Sequence, residues 1–223
     1  MNNFAEKRKE WVFSQRNKLL KRSVSGQDKF RKLLDAAHIL YVREKPSFKC
    51  YSSDVCFMDF YVPYYQLDIE IDGRQHRYED RYDKDISKAE FLWKDRIATI
   101  HISNEEVGNF ERIDIEKLWE DRVPEEQRNE IEGIKRNQME GWRLFYSRHH
   151  IGLDQPVWLF FIENRRTYRF DSILDLQRSI HYDEDKVLGV LEKERKSNFF
   201  VSFDKKELSD MVDEWKRSNS GLI

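Results

Sequence analysis

The sequence predicts an α/β protein made of two domains. The first half alternates short apolar strands with amphipathic helices in the order α-α-β-β-α-β-α, which is typical of a sheet flanked by helices. The second half begins a different pattern, in which a β-hairpin is followed by two helices. The chain has 223 residues, 39% hydrophobic and 14% aromatic, so it is long enough and apolar enough to form packed cores.

The first domain is predicted to span residues 1–122. Its helical segments lack proline and place apolar residues three or four positions apart, whereas its strands alternate or form short apolar runs. Gly26 separates the first two helices, and Gly73 ends the second strand. The predicted elements are helices at 3–22 and 27–41, strands at 55–62 and 67–72, a helix at 83–95, a strand at 97–102 and a helix at 114–122.

A helical connector is predicted at residues 123–154, because Pro124 suits the first turn of a helix. Residues 155–223 are predicted to form a second, smaller module with a C-terminal helix. Its elements are strands at 157–163 and 167–170, helices at 171–180 and 183–196, a strand at 199–203 and a helix at 204–217.

Composition narrows the classes of function. The net charge is −2, so any nucleic-acid contact must come from local basic patches. No apolar run approaches the ~20 residues needed to span a bilayer, and the N-terminus is charged from the start. Cys50 and Cys56 fit neither a metal spacing nor a disulfide framework, and Cys56 is expected to be a small core residue. We expect a cytoplasmic protein without a membrane partner.

Acidic residues are concentrated in the segment 59-DFYVPYYQLDIEIDGRQH-76. Strand periodicity places Asp68, Glu70 and Asp72 on one face, and Asp59 interrupts an apolar run. Clustered carboxylates repel one another and raise one another's pKa unless a cation compensates them. A divalent ion such as Mg²⁺ or Mn²⁺ suits such a pair of strands. The alternative is an edge strand with a solvated polar face.

This segment resembles the core of the PD-(D/E)XK nuclease superfamily, in the branch of very-short-patch-repair-type endonucleases and homing endonucleases. The resemblance is carried by MDF at 58–60 and IEIDGRQH at 69–76. It implies a restriction-endonuclease-like core, a mixed sheet flanked by helices. It also implies metal binding by Asp59, Glu70 and the backbone carbonyl of Ile71.

The resemblance further implies a set of catalytic residues. The lysine of the superfamily motif is absent, because Asp72 stands two positions after Glu70. The proton-transfer partner is therefore left open among His76, a water positioned by Gln75, and Lys88 from the following helix. The predicted catalytic set is Asp59, Glu70, Asp72, Gln75, His76 and Gln27.

Two segments are candidates for DNA contact. Residues 74–88 include basic, aromatic and acidic side chains. This composition fits either a segment that contacts DNA phosphates or a solvent-exposed loop and helix face. Residues 156–196 resemble the nuclease-associated modular domains of homing endonucleases, which contain a helix-turn-helix. The net charge of residues 155–203 is zero, whereas a DNA-binding module usually gains affinity from an excess of positive charge. The alternative is that this module docks on another protein. The predicted DNA contacts are Arg74, Arg77, Lys88, Arg165, Arg166, Arg169, Lys186 and Lys193.

The sequence as a whole predicts a magnesium-dependent, site-specific endonuclease, a hydrolase acting on double-stranded DNA. The resemblance favours a free-standing homing endonuclease of phage or bacterial type, working in the bacterial cell or phage-infected host. The alternatives are a mismatch-repair or restriction nuclease of the same fold and a catalytically silent DNA-binding regulator. The DNA target, nicking versus double-strand cleavage, RNA versus DNA, and monomer versus homodimer stay open.

Overall fold

The computed structural model describes residues 2–22, 25–47, 55–73, 79–180, 182–193 and 197–219, with the side chains of 2–5 and 79–86 excepted. The chain divides into two compact units, Met1–Glu132 and Gly133–Ile223. The division falls within one long helix, Glu125–Arg148, in the region that the sequence predicts as a helical connector. Within the described ranges, no helix is both long enough and apolar enough to cross a membrane.

The first unit contains a four-stranded mixed sheet flanked by helices, which confirms the α/β class. The strand order is β1-β2-β3-β4, in which β2 is antiparallel to both neighbours and β4 is parallel to β3. The elements are α1 (Asn2–Leu20), α2 (Ser25–Ala36), β1 (Val42–Ser47), β2 (Cys56–Val62), β3 (Leu67–Asp72), α3 (Glu79–Lys94), β4 (Ala98–Ser103), α4 (Asn104–Asn109), α5 (Ile115–Arg122) and the start of α6 (Glu125–Arg148).

The two faces of β3 are chemically different, and this difference organises the unit. Leu67, Ile69 and Ile71 join a core that includes Phe30 of α2 and Phe60 of β2. Asp68 and Glu70 alternate with them, and Lys88 of α3 contacts both. The period-2 pattern therefore separates an apolar face from a charged one.

Two elements were not predicted from the sequence. Strand β1 was missed because VREKPS has no apolar alternation and contains Pro46; it is an edge strand, where proline is tolerated. Helix α4 was also missed. The predicted helix 27–41 was too long, because α2 ends at Ala36 and His38 adopts a left-handed conformation (φ 55°).

Cys56 is disulfide-bonded, which corrects the expectation of a cysteine outside any disulfide; Cys50 lies outside the described residues.

The second unit contains a three-stranded antiparallel sheet in the order β6-β5-β7. The predicted hairpin is confirmed, and Leu208 and Val212 of the last helix pack against Phe160. The elements are β5 (Val157–Phe161), β6 (Arg166–Phe170), α7 (Ile173–Ile180), α8 (Glu184–Leu191), β7 (Phe199–Ser202) and α9 (Lys205–Ser218).

Candidate active site

Asp59 and Glu70 are brought together where strands β2 and β3 stop pairing. The β2–β3 register runs from Val62↔Leu67 to Phe60↔Ile69. Beyond that point, hydrogen bonds from backbone N–H groups to side-chain carboxylates take the place of the backbone-to-backbone hydrogen bonds between the two strands. The Asp59 amide donates to Glu70 Oε1 (3.1 Å), and the Ile71 amide donates to Asp59 Oδ2 (3.0 Å). The two carboxylates therefore share one small region, and each is oriented by a backbone N–H group of the opposite strand.

Helix α2 adds a polar group to this region. The Gln27 side chain hydrogen-bonds to Asp59, as expected if it assists the site. The beginning of α2 packs tightly: a Cβ atom on Gly26 would lie 1.8 Å from Asn104 Oδ1 and 3.2 Å from an Ile71 methyl carbon. Glycine at this position allows the close approach that delivers Gln27 to Asp59. The predicted role of the Ile71 carbonyl as a metal ligand stays a prediction.

Lys88 of α3 provides the cation of the site. Its Nζ lies 2.5 Å from Glu70 Oε1 and 3.7 Å from Asp68 Oδ2, and it donates to the Phe57 carbonyl (2.8 Å). The residue is only 8% exposed. This arrangement agrees with the alternative that Lys88 reaches the acidic residues from the helix, whereas its predicted contact with DNA stays a prediction.

The charges of this group shift one another's pKa values. Burial opposes a charged Lys88, but the carboxylates of Asp68 and Glu70 outweigh it and raise the lysine pKa. Burial also opposes ionisation of Glu70, yet the Lys88 ammonium lowers the Glu70 pKa below its ordinary value. Lys88 and Glu70 thus form a charged pair at neutral pH.

Asp59 and Asp68 behave differently from Glu70. Burial, followed by the charge of Glu70, raises the pKa of Asp59 to about 6. The same two causes raise the pKa of the fully buried Asp68 well above its ordinary value, although the Lys88 charge opposes this shift. One lysine therefore does not neutralise the acidic groups around it.

Glu44 of β1 is a further member that the sequence analysis missed. It adopts a left-handed conformation (φ 48°) inside a strand. Burial, then the charges of Asp59 and Glu70, raises its pKa from 4.5 to about 7. No sequence signal marks it, because a single glutamate between Arg43 and Lys45 has the pattern of an exposed charged segment.

Asp72 lies at the end of β3 and pairs with His101 of β4, whose Nδ1 is 3.2 Å from both carboxylate oxygens. The sequence analysis did not single out His101. Four predicted site residues lie outside the described residues, so their roles stay predictions: Arg74, Gln75, His76 and Arg77.

The group fits a hard divalent cation. Mg²⁺ is commonly bound by one or two carboxylates together with waters and substrate phosphates. Asp59 and Glu70 can supply those two carboxylates, and the charge of Glu70 is, after burial, the second cause of the raised pKa of Asp59. In the described part of the chain, no three His, Cys, Asp or Glu side chains form a ready-made metal cage. The arrangement therefore suits an ion that completes its shell with water and phosphate.

The predicted DNA contacts of the second unit are largely engaged within it. Arg169 pairs with Asp171, Lys193 pairs with Glu207 (2.6 Å), and the Lys186 ammonium lies 3.7 Å from the centre of the Tyr182 ring. Arg166 is half-buried, and Arg165 is exposed at the hairpin turn.

Helix α8 is shorter than the sequence predicts. It ends at Leu191 rather than at residue 196, so Lys193, one of the predicted DNA contacts, lies beyond the end of the helix.

Comparisons with protein-family models, with curated proteins and with solved structures gave no match for this chain.

Proposed function

We propose that this protein is a divalent-metal-dependent endonuclease that hydrolyses phosphodiester bonds in double-stranded DNA. The observation that carries the proposal is the ion pair between Lys88 of α3 and Glu70, next to Asp59. The segment around β3 lacks the lysine of the PD-(D/E)XK motif, and Lys88 supplies an ammonium group to the same carboxylate from a helix. The site thus contains two acids and one lysine, which are the residue types of the PD-(D/E)XK motif.

The architecture of the first unit supports a restriction-endonuclease-like core. The sheet is mixed and flanked by helices, with one acid on β2 and another on β3. Gln27 is contributed by the helix that precedes the sheet. The resemblance implies this distribution of residues over elements.

Asp59 and Glu70 are proposed to hold Mg²⁺ or Mn²⁺, which when bound would promote deprotonation of water and stabilise charge on the phosphodiester. Gln27 and the Ile71 amide keep the Asp59 carboxylate in place through their hydrogen bonds. The raised pKa of Lys88 keeps it protonated. Lys88 is therefore an electrostatic stabiliser or proton donor rather than the general base, which leaves His76 or a water held by Gln75 for that role.

Helix α1 supplies positive charge for phosphate contact in the same unit. Residues 2–22 contain seven Lys or Arg against two Glu, whereas the whole chain has a net charge of −2. Lys9, Lys18 and Lys21 line an open groove on this helix. Neutralising DNA phosphates with such side chains is the main source of sequence-independent affinity. We infer that α1 contributes more to DNA affinity than α8 does.

A free-standing homing endonuclease is the specific proposal, and target choice is assigned to the second unit. The test is incubation of the protein with supercoiled plasmid and with genomic DNA, with and without Mg²⁺, followed by mapping of the ends. Metal-dependent ends at one long site support a homing endonuclease. Ends at mismatches or at many short sites support the repair or restriction alternative.

Two variants connect this assay to the site. Asp59→Asn should abolish cleavage and retain DNA binding, whereas Lys94→Met, at an exposed position on α3, should cleave like the wild type. DNA binding without cleavage under any metal would identify a silent regulator and overturn the proposal.

A further inference from the structure

Helix α3, the start of strand β4 and the first turns of α6 border a cavity of about 240 Å³ that is open to solvent. Its lining includes Trp93 and the exposed Glu90 of α3, Ile97 just before β4, Thr99 of β4 and Gln127 of α6. The cavity belongs to the first unit and shares no residue with the proposed metal site.

The polar side chains of this cavity are not used by the rest of the described chain. The Thr99 hydroxyl oxygen is buried and makes no hydrogen bond. Among the described residues, none forms a hydrogen bond or an ion pair with the side chain of Glu90 or Gln127. Buried polar atoms in folded proteins nearly always have a hydrogen-bond partner. The Thr99 hydroxyl is therefore expected to bind a molecule that enters the cavity.

The Trp93 ring is a preformed wall of the cavity. The Arg96 guanidinium lies 5.2 Å from the ring centre, and its Nη1 donates to the Trp93 carbonyl (3.0 Å). An ion pair with Glu130 of α6 fixes the same guanidinium, so Arg96 is a positioning residue for the ring. Ile97 and Ala98 add apolar surface, and the volume is well above the roughly 30 Å³ share of one water. A molecule with a flat apolar face and a polar edge therefore fits better than water alone.

We propose that this cavity binds one nucleobase that carries an exocyclic amino group, as cytosine and adenine do. The flat ring stacks against Trp93, as bases do on aromatic side chains in other nucleic-acid-binding proteins. The Thr99 hydroxyl and the Gln127 amide can each donate and accept, which suits the ring nitrogens and carbonyls of a base. A cationic ligand fits less well, because Arg96 already places positive charge beside the ring.

Glu90 determines which bases are accepted. A carboxylate accepts hydrogen bonds and donates none, and it pairs with base amino groups such as N4 of cytosine. Uracil has a carbonyl oxygen in place of that amino group, and the carboxylate repels it. The base can come from a free nucleoside or from a DNA strand in which it is unpaired, because an unpaired base is extruded from the helix at low cost. Base binding here does not depend on DNA cleavage.

The test measures binding of cytidine and of uridine to the full chain by nuclear magnetic resonance titration with EDTA present. The wild type and Glu111→Gln, a control at an exposed glutamate, should bind cytidine roughly tenfold more tightly than uridine. Glu90→Gln should lose this preference. Thr99→Val keeps the shape of the side chain and should weaken cytidine roughly threefold. Trp93→Leu should weaken both nucleosides by roughly fivefold or more.

Circular dichroism checks that each variant is folded. Thr99→Val removes a buried hydroxyl that has no partner in the protein, so this variant should be at least as stable as the wild type. A loss of cytidine binding in Thr99→Val at unchanged or higher stability therefore reports the ligand contact and not damage to the fold.

A second arm identifies the source of the base. It uses DNA duplexes in which one cytosine or one uracil stands opposite an abasic position, again with EDTA. Tighter binding of the cytosine duplex that is lost in Thr99→Val assigns the base to a DNA strand. A cytosine preference limited to the free nucleoside assigns the site to a small molecule.

The outcomes separate this inference from the proposed nuclease activity. If cytosine and uracil ligands bind equally or not at all, and Glu90→Gln and Thr99→Val match the wild type, the inference is wrong even when the protein cleaves DNA. If the cytosine preference is present and lost in Glu90→Gln but no DNA is cut with any metal, the base site stands and the nuclease proposal fails.

Discussion

The buried Glu44 carboxylate should make the metal-free protein less stable as the pH rises. Its pKa in the folded protein is about 7, against an ordinary value of 4.5. Well below 4.5 the group is protonated in both the folded and the unfolded state, and it costs nothing. Above about 7 it is ionised in both states, and the folded state carries the full cost of the buried charge.

The magnitude follows from these two values. The difference between about 7 and 4.5, at about 1.4 kcal/mol per pH unit, corresponds to about 3 kcal/mol. Local relaxation reduces this, so about 2 kcal/mol is expected between about pH 5 and about pH 8. Glu44→Gln keeps the shape of the protonated acid and removes the charge. Its stability gain over the wild type should therefore grow by about 2 kcal/mol across that range.

The assay is urea unfolding of both proteins with EDTA at about pH 5 and about pH 8. Hydrogen exchange of peptides from residues 56–72 assigns the change to the sheet that contains the site. Glu111→Gln is the matched control and should show no pH-dependent gain. Asp59, with a pKa raised to about 6, keeps part of the pH dependence in the variant. A gain for Glu44→Gln that is the same at both pH values would refute the assigned burial and charge of this residue.

Three further predictions address catalysis and DNA contact. Lys88→Met should lower the single-turnover cleavage rate by roughly 10²-fold or more with little change in DNA affinity, because it removes the cation beside Glu70; an unchanged rate would exclude Lys88 from the chemistry. His76→Ala should lower the rate by roughly 10²–10⁴-fold if it transfers a proton, whereas weaker binding at an unchanged rate would make it a phosphate contact. Replacing Lys18 and Lys21 together with Gln should weaken binding to all DNA sequences and reduce the salt dependence by about two units of slope; unchanged slopes would move the phosphate contacts elsewhere, with Arg165 the next candidate.

Asp59 and Glu70 could be predicted as site residues because the sequence patterns that mark them lie within single short segments of the chain. Alternation over Leu67–Asp72 fixes which side chains share a face, and Asp59 stands out as an acid inside an apolar run. The structure brings this aspartate to Glu70 and also brings Gln27 to Asp59. These residues belong to elements whose type was predicted correctly from the sequence.

The rest of the site depends on tertiary contacts that leave no periodic signal. Glu44 lies in a strand stabilised by pairing with β2 and by Arg16, not by its own composition. Lys88 reaches Glu70 because α3 crosses the charged face of the sheet, and the spacing along the chain leaves this only as an alternative. In the second unit, helix α8 ends at Leu191 rather than at the predicted residue 196, so Lys193 lies beyond the helix.

The most direct test of the account is a crystal structure of the protein soaked in Mn²⁺, with data collected for the anomalous signal of the metal. The account predicts a peak between the carboxylates of Asp59 and Glu70, with each oxygen at about 2.1–2.2 Å from the ion, as expected for a small hard cation. The Lys88 ammonium should then have moved away from Glu70. If no peak is present there at saturating Mn²⁺ and the Lys88–Glu70 pair is unchanged, the pair is a structural ion pair and the metal-dependent site is contradicted.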